Sequence, residues 1–537
     1  MSNFYLEINA GDSSDTMDDR HGEELARTEF RHNVGDISIT RSKHTHELLI
    51  DSPLTTADQL YYRSDAGRLC ISNDLRRLVD QSCTLSEAGI YSILQFGTIA
   101  PTAELWNEVR EFKPGVRSKI SVGDKLATEE SADDQPDSMT EDFTMDIRDQ
   151  KAIVCSVIDE ILVDACPTRN PVILFSGGVD STLMAARAAK MGWYETTLVN
   201  LSFGPDDTES QLAEKLAKIL GLDFVRVNAL DYDSLAVLDE GITRFSRPFG
   251  DPSTSPTYTL ITQVIDQFPG SRPILDGTGA DGAFGLASKL GIYRMTESMP
   301  HFVLASVSAF YKSAGLWKRN TVFERPGRIV RRCAQLPTFL AAIARNPLAD
   351  IAYEVTSRTQ DHVLDEIDKW ISQFCTSGEI GLKVPVADLA INCSRVLAQK
   401  TKSPFDLCGR TVKYPFLDER MIRLAMGRAR HWPHNNEPKW ILKALLADFV
   451  PSDMVYRQKS GFVGPYREIL SRRKFVSSLD RLIEEGVELR PYLSLDVIKA
   501  LRTKVISNER LPGQTYWFIW AAVFLNNWFT VNARPKQ

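Results

Sequence analysis

The stretch VILFSGGVDST, Val172 to Thr182, constrains the fold more than any other part of the chain. An apolar run with β-branched and aromatic side chains leads straight into Ser176-Gly177-Gly178, and the helix-forming run LMAARAAK follows. The order is strand, tight glycine turn, helix start, the opening of a βα unit. Such a junction gathers backbone N–H groups at the positive end of a helix dipole and so favours an anion.

The surrounding sequence repeats the alternation. PVILFS precedes STLMAARAAKMG, ETTLVNLSF precedes DTESQLAEKLAKILG, and DFVRVNA and RPILDGTG come later. Strands alternating with helices of this length predict an α/β fold with a parallel sheet covered on both faces. From about residue 290 the chain reads as mostly helical.

The N-terminal part differs. HELLIDS, QLYYRS and GRLCISN are short strand-like runs between polar and glycine punctuation, and SEAGIYSILQFG is a helix with Ser86 as its N-cap and Gly97 just past its end. Residues 123–147 are acidic and poor in apolar side chains, which predicts a linker or exposed loop. The expected organisation is one domain over 1–122, a linker over 123–147 and the α/β domain over 148–537.

Length and composition bound the function. A chain of 537 residues is too long for one ordinary core. The net charge of −7 argues against a general nucleic-acid binder. The 8 cysteines are scattered with no C-x-x-C pair, so neither a zinc site nor a disulfide framework is expected. The first residues lack a basic segment followed by an apolar run, and the most apolar stretch, Tyr516 to Phe529, is too short for a bilayer, which takes about 20 residues. The expectation is a cytoplasmic protein with no membrane partner, in which that stretch is a buried C-terminal helix.

The glycine turn carries the chemistry. Ligands of open α/β sheets bind beyond the carboxyl ends of the strands, where Ser176-Gly177-Gly178 stands. Asp180 puts an acid into the same turn, and a magnesium ion between carboxylate and phosphate would remove their repulsion. No lysine follows the glycines, so the turn is neither a P-loop nor G-x-G-x-x-G. Taken alone, it can also be read as a tight connection and nothing more. A second strand with an acidic, glycine-dense turn, PILDGTGADGAFG, raises the case for a site: Asp180 and Asp281 at neighbouring strand ends would surround one cation.

With these residues, S-G-G-x-D-S resembles the pyrophosphate loop of the ATP-pyrophosphatases, and the chain resembles the asparagine-synthetase-like branch over nearly its full length. LFSGGVDST, RPFGDPSTSPTY, DGTGADGAFG, KYPFLDER, KWILKAL and YRQKSGF carry the likeness. YYRSDAGRLCISNDLRRL and TAELWNEVREFKPG resemble the Ntn-type glutaminase domain of that branch. The resemblance implies an αββα Ntn-type domain followed by an adenine-nucleotide α-hydrolase-like domain. It also implies a two-step reaction: a carboxylate attacks the α-phosphorus of ATP, releasing pyrophosphate, and an amine then takes the acyl group from AMP. By the same resemblance Ser176, Gly177, Gly178, Asp180 and Ser181 hold pyrophosphate, Leu201 and Gly277 border adenosine, and Asp180 and Asp281 bind Mg²⁺. Lys459, which alone would be a solvated surface lysine, matches the lysine that stabilises charge in both steps.

The chain departs from asparagine synthetase in three places. Ser2 follows Met1 where glutamine-using relatives have a nucleophilic cysteine, and the first cysteine is Cys70. Thr278 stands where asparagine synthetases have a glutamate and β-lactam synthetases a tyrosine, and threonine is no base near neutral pH. Gly282 replaces the usual glutamate after Asp281. An inactive glutaminase with a retained adenylating site resembles the lasso peptide cyclases, which join an Asp or Glu side chain of a precursor peptide to its own N-terminal amine. That likeness implies a leader-processing protease and a leader-binding protein as partners. An ammonia-dependent asparagine synthetase, a β-lactam synthetase and a non-catalytic peptide-binding scaffold are the alternatives. The basic, aromatic segment 311–333 is either a solvated helical face or a contact for peptide or partner, and His44 and His46 are expected to be structural or at the surface.

Overall fold

The computed structural model describes residues 4–9, 16–18, 30–41, 47–65, 68–122, 126–132, 145–231, 233, 235–268, 270, 272–286, 290–313, 329–330, 332–334, 336–344, 355–375, 380–427, 437–457, 469–486, 488–509, 511 and 513–532. Lys459, the His44/His46 pair, Ser2 and most of segment 311–333 lie outside them.

The N-terminal part holds two antiparallel five-stranded sheets. Strands β1 (Tyr5–Asn9), β2 (Thr16–Asp18), β6 (Tyr61–Asp65), β7 (Arg68–Ser72) and β8 (Arg110–Glu111) form one, in the order β2-β1-β7-β6-β8. Strands β3 (Phe30–Val34), β4 (Ile37–Arg41), β5 (Glu47–Ser52), β9 (Val116–Val122) and β10 (Leu126–Ala132) form the other, in the order β10-β9-β5-β4-β3. Alternating side chains explain their stacking. Leu6, Ile8, Leu69 and Ile71 of the first sheet share one core with Ile37, Ile39, Leu48, Ile50 and Ile120 of the second.

Helix α1 (Glu87–Phe96) starts after Ser86 and stops at Gly97, whose φ of 81° is the left-handed conformation that glycine adopts without strain. Ser86 makes no side-chain cap bond.

The segment expected to be linker is in part a strand. All seven residues of β10 pair with β9, from Leu126↔Val122 to Ala132↔Val116. The acidic run misled because β10 is an edge strand, where charge discourages further pairing instead of breaking the strand.

After helix α2 (Ile147–Ala165) comes the parallel sheet, in the order β13-β12-β11-β14-β15. Its strands are β11 (Val172–Leu174), β12 (Thr197–Ser202), β13 (Asp223–Asn228), β14 (Ile274–Leu275) and β15 (Val412–Lys413). Helix α3 (Val179–Lys190) follows β11, and α4 (Thr208–Leu220) follows β12. β15 joins from far along the sequence, its Lys413 opposite Leu275. The rest is helical, with a π-helix at Asp388–Leu397 that leads into the helix Gln399–Leu407. The C-terminal helix Gly513–Asn532 is a core element, with Phe518, Trp520, Phe524 and Trp528 fully buried. No helix among the described residues is long and apolar enough to cross a membrane.

The two parts are joined by buried polar contacts. Arg395 of the π-helix grips Glu111 of β8 with both guanidinium nitrogens. Lys402, 6% exposed, lies 2.7 Å from Asp58 and 3.1 Å from Asp406. Burial would lower the Lys402 ammonium, but the Asp406 and Asp58 carboxylates outweigh it and raise it. Thr55 donates to the Leu417 carbonyl at 2.8 Å, and Ser394 donates to the Thr55 carbonyl at 2.8 Å.

Candidate active site

The carboxyl ends of β11 and β14 are neighbours, and each runs into a glycine turn. At the first, Gly177 has φ 68° and packs so closely on α4 that an added Cβ would lie 3.0 Å from Ala213 Cα. Only glycine satisfies both conditions. The Ser176 N–H donates to Ser181 Oγ at 3.3 Å, and the Gly178 N–H donates to Ser176 Oγ at 3.3 Å, so the two serines cross-brace the turn. Asn200 of β12 donates to the Phe175 carbonyl at 2.8 Å and fixes the strand end. Leu201, half-buried, follows it on β12.

Gly178 is the N-cap of α3 and places Asp180 in the first turn, where the helix dipole favours an acid. At the second turn, Gly279 has φ 113° and Asp281 lies in the first turn of the short helix Ala280–Phe284. Gly277 links the two: an added Cβ there would lie 3.2 Å from Asp180 Cβ and 3.4 Å from the Ser181 nitrogen. The structure thus brings Ser176, Gly177, Gly178, Asp180, Ser181, Gly277 and Asp281 together.

A cation does stand between the two acids, and it is Lys439. Its ammonium donates to Asp180 at 2.8 and 2.6 Å and lies 3.0 Å from Asp281. Lys439 is 8% exposed, adopts φ 58° just before the helix Trp440–Leu446, and donates its backbone N–H to the Phe284 carbonyl at 3.0 Å. Burial would pull the ammonium down, but the Asp180 and Asp281 charges outweigh it and hold it above its ordinary value. Lys439 stands in KWILKAL, a motif that in sequence carries only the family likeness. Nothing in its local pattern marks it; only the chain's return onto α3 does.

Two of the three departures, Thr278 and Gly282, have a physical counterpart. The Thr278 hydroxyl donates to Asp276 Oδ1 at 2.8 Å and its N–H to the same oxygen at 3.0 Å. At Gly282 an added Cβ would lie 2.8 Å from Asp388 Oδ2, so a π-helix carboxylate fills the space a longer residue would need. The YRQKSGF motif is anchored at its start, where Arg457 donates to Glu209 of α4 at 2.7 Å.

A parallel sheet with paired acidic glycine turns at neighbouring strand ends defines the class of α/β fold. The chain belongs to the asparagine synthase family, whose profile matches residues 168–529. Membership makes it one of the ATP-dependent amide-forming ligases. No individually curated protein matches it.

Proposed function

We propose that the protein adenylates an Asp or Glu side chain of a precursor peptide, releasing pyrophosphate, and closes a macrolactam with the peptide's N-terminal amine. The observation that carries the adenylation step is the Asp180–Lys439–Asp281 cluster beside the Ser176-Gly177-Gly178 turn. The turn and the α3 N-terminus suit the leaving pyrophosphate, with Ser176 and Ser181 as donors. Leu201 and Gly277, at the adjoining strand ends, border the adenosine in this reading. Lys439 neutralises charge on the departing phosphates, and Lys459 is assigned the same work in both steps.

The donor set fits Mg²⁺. Asp180 and Asp281 offer hard carboxylate oxygens, shared here with the Lys439 ammonium that lies between them, and magnesium is held by one or two carboxylates plus substrate phosphates. These two residues would hold the ion, which would supply positive charge to the leaving group.

Support for a peptide substrate comes from what the chain lacks for smaller ones. Residue 278 is a threonine turned onto Asp276, and residue 282 is a glycine whose space Asp388 occupies. Cys70 is 7% exposed inside a sheet, which does not suit a glutaminase nucleophile. In this reading the Ntn-type sheets serve as scaffold, and the amine comes from the peptide itself, whose tethering raises its effective concentration. A leader-processing protease and a leader-binding protein are the partners such a substrate requires.

The test is pyrophosphate release with ATP and Mg²⁺, comparing free aspartate, aspartate with ammonia, and leader-free peptides carrying an internal Asp or Glu. Peptide-dependent release with loss of one water from the peptide mass is expected. Release with free aspartate alone would return the protein to the small-molecule synthetases.

A further inference from the structure

We propose that Asp276 is the base that accepts the proton of the attacking amine, with Thr278 and Thr401 holding its carboxylate in place. The inference rests on the amide-forming reading above and deepens it.

An amine that attacks an acyl-adenylate carries positive charge until a proton leaves, and an α-amine has a pKa near about 8, so an acceptor is needed at the strand ends. Asp180 and Asp281 are tied to Lys439. Thr278 has no basicity near neutral pH. Asp276 remains, and its backbone is fixed: its N–H donates to the Lys413 carbonyl at 3.0 Å, continuing the ladder between β14 and β15. The next residue is Gly277, which packs directly on Asp180. Asp276 therefore stands one residue from the phosphate side of the site and is half-buried.

Its oxygens are oriented from both sides. Oδ1 takes the Thr278 N–H at 3.0 Å and hydroxyl at 2.8 Å, and Oδ2 takes the Thr401 hydroxyl at 3.0 Å. A carboxylate has about four lone-pair sites, so one stays open to an incoming N–H. Thr401 Oγ1 is 2.9 Å from the Tyr414 hydroxyl, which is 2.8 Å from the Ala398 carbonyl. Burial and then the Asp276 charge hold the Tyr414 phenol well above its ordinary value, so it stays a neutral donor at the end of this chain. Among the described residues no cation pairs with Asp276.

The step balances. The amine lone pair forms the C–N bond, the bond from the acyl carbon to the AMP oxygen breaks with its electron pair leaving on AMP, and one N–H proton passes to Asp276. Asp276 then releases it to water.

The experiment uses the carboxylic acid, among free aspartate, free glutamate and linear peptides with internal Asp or Glu, that drives pyrophosphate release in the full-length protein. Two readouts follow: amide formation, and capture of the adenylate by hydroxylamine, a nucleophile that is mostly unprotonated at neutral pH and does not need the base. Asp276→Asn is expected to lower amide formation about 100-fold or more and to remove the acidic limb of its pH profile. Hydroxylamine capture should fall far less, which also shows that the variant folds. Thr401→Val, which keeps the carboxylate and removes one donor, should lower amide formation about tenfold and retain that limb. Equal loss of both readouts in Asp276→Asn, or amide formation with an unchanged pH profile, overturns the assignment. If no carboxylic acid drives release in the wild type, the ligase reading itself fails, and the inference with it.

Discussion

The Lys439 ammonium lies 2.6 Å from Asp180 Oδ2, joining the residue before one helix to the first turn of another far earlier in the sequence. With Asp281 at 3.0 Å, it turns two strand-end acids into a cluster with a single net negative charge. In the proposed reaction the cluster balances opposing demands: acids that would hold a metal, and a cation that would receive phosphate.

Replacing Lys439 with Met removes that cation at a desolvated position. Carboxylate-dependent ATP–pyrophosphate exchange should fall about 100- to 1,000-fold. A thermal melt run beside the kinetics separates this from unfolding, and an exchange rate within a fewfold of wild type would show that Lys439 does not serve the reaction.

The pH dependence of stability has a definite sign at Lys439. The folded Lys439 value lies above 10.5, so its charge, and the stability it contributes, is complete below 10.5 and is lost only as pH rises through the raised folded value. Without added metal, thermal stability should therefore show no alkaline limb from this lysine anywhere below pH 10.5. A limb near pH 8 or 9 that moves in Lys439→Arg would contradict the geometry.

Gly277→Ala tests the contact between the two turns. The new methyl would lie 3.2 Å from Asp180 Cβ and 3.4 Å from the Ser181 nitrogen, so the first turn of α3 must shift by a few tenths of an ångström. Such misplacement should cost roughly 10- to 100-fold in pyrophosphate release while the folding transition changes little. Unchanged release in steady-state assays would mean that the two turns do not act on the same phosphates.

Lys402→Met leaves Asp58 and Asp406 facing each other without their cation, at the junction of the two parts of the chain. Breaking a buried pair from one side should destabilise by about 3–5 kcal/mol. Urea denaturation followed by tryptophan fluorescence measures it, and a loss below about 1 kcal/mol would place the pair in the range of solvent-exposed bridges.

The parts of this structure that sequence made legible are those whose cause is local. Strands β11 to β14 and the turn at Ser176-Gly177-Gly178 follow from apolar runs, glycine and helix-forming residues that are adjacent in the chain. The nearness of the two acidic turns followed from one further step, that they end neighbouring strands. β15, only two residues long, carries too little pattern to be read, yet it fixes Asp276 through Lys413. β10 was hidden by its charge, since an edge strand and an acidic loop have the same composition.

The site residues missed in the sequence share one trait: their partners are distant. Lys439 meets Asp180, Thr401 meets Asp276, and Asp388 meets Gly282 only after the helical region folds back over the sheet. The π-helix at Asp388–Leu397 contributes to this, because its wider turn sets the direction of the helix that carries Thr401 and Lys402. No periodicity in the sequence announces that turn.

The most direct test of the central claim is isotope exchange between labelled pyrophosphate and ATP, with Mg²⁺ and each candidate carboxylic acid in turn. Reversible adenylation at the Asp180–Lys439–Asp281 cluster predicts exchange that requires both the acid substrate and Mg²⁺, and that Asp180→Asn abolishes. Formation of ADP and phosphate without any exchange would contradict it, because the bond broken would then lie beyond the α-phosphorus.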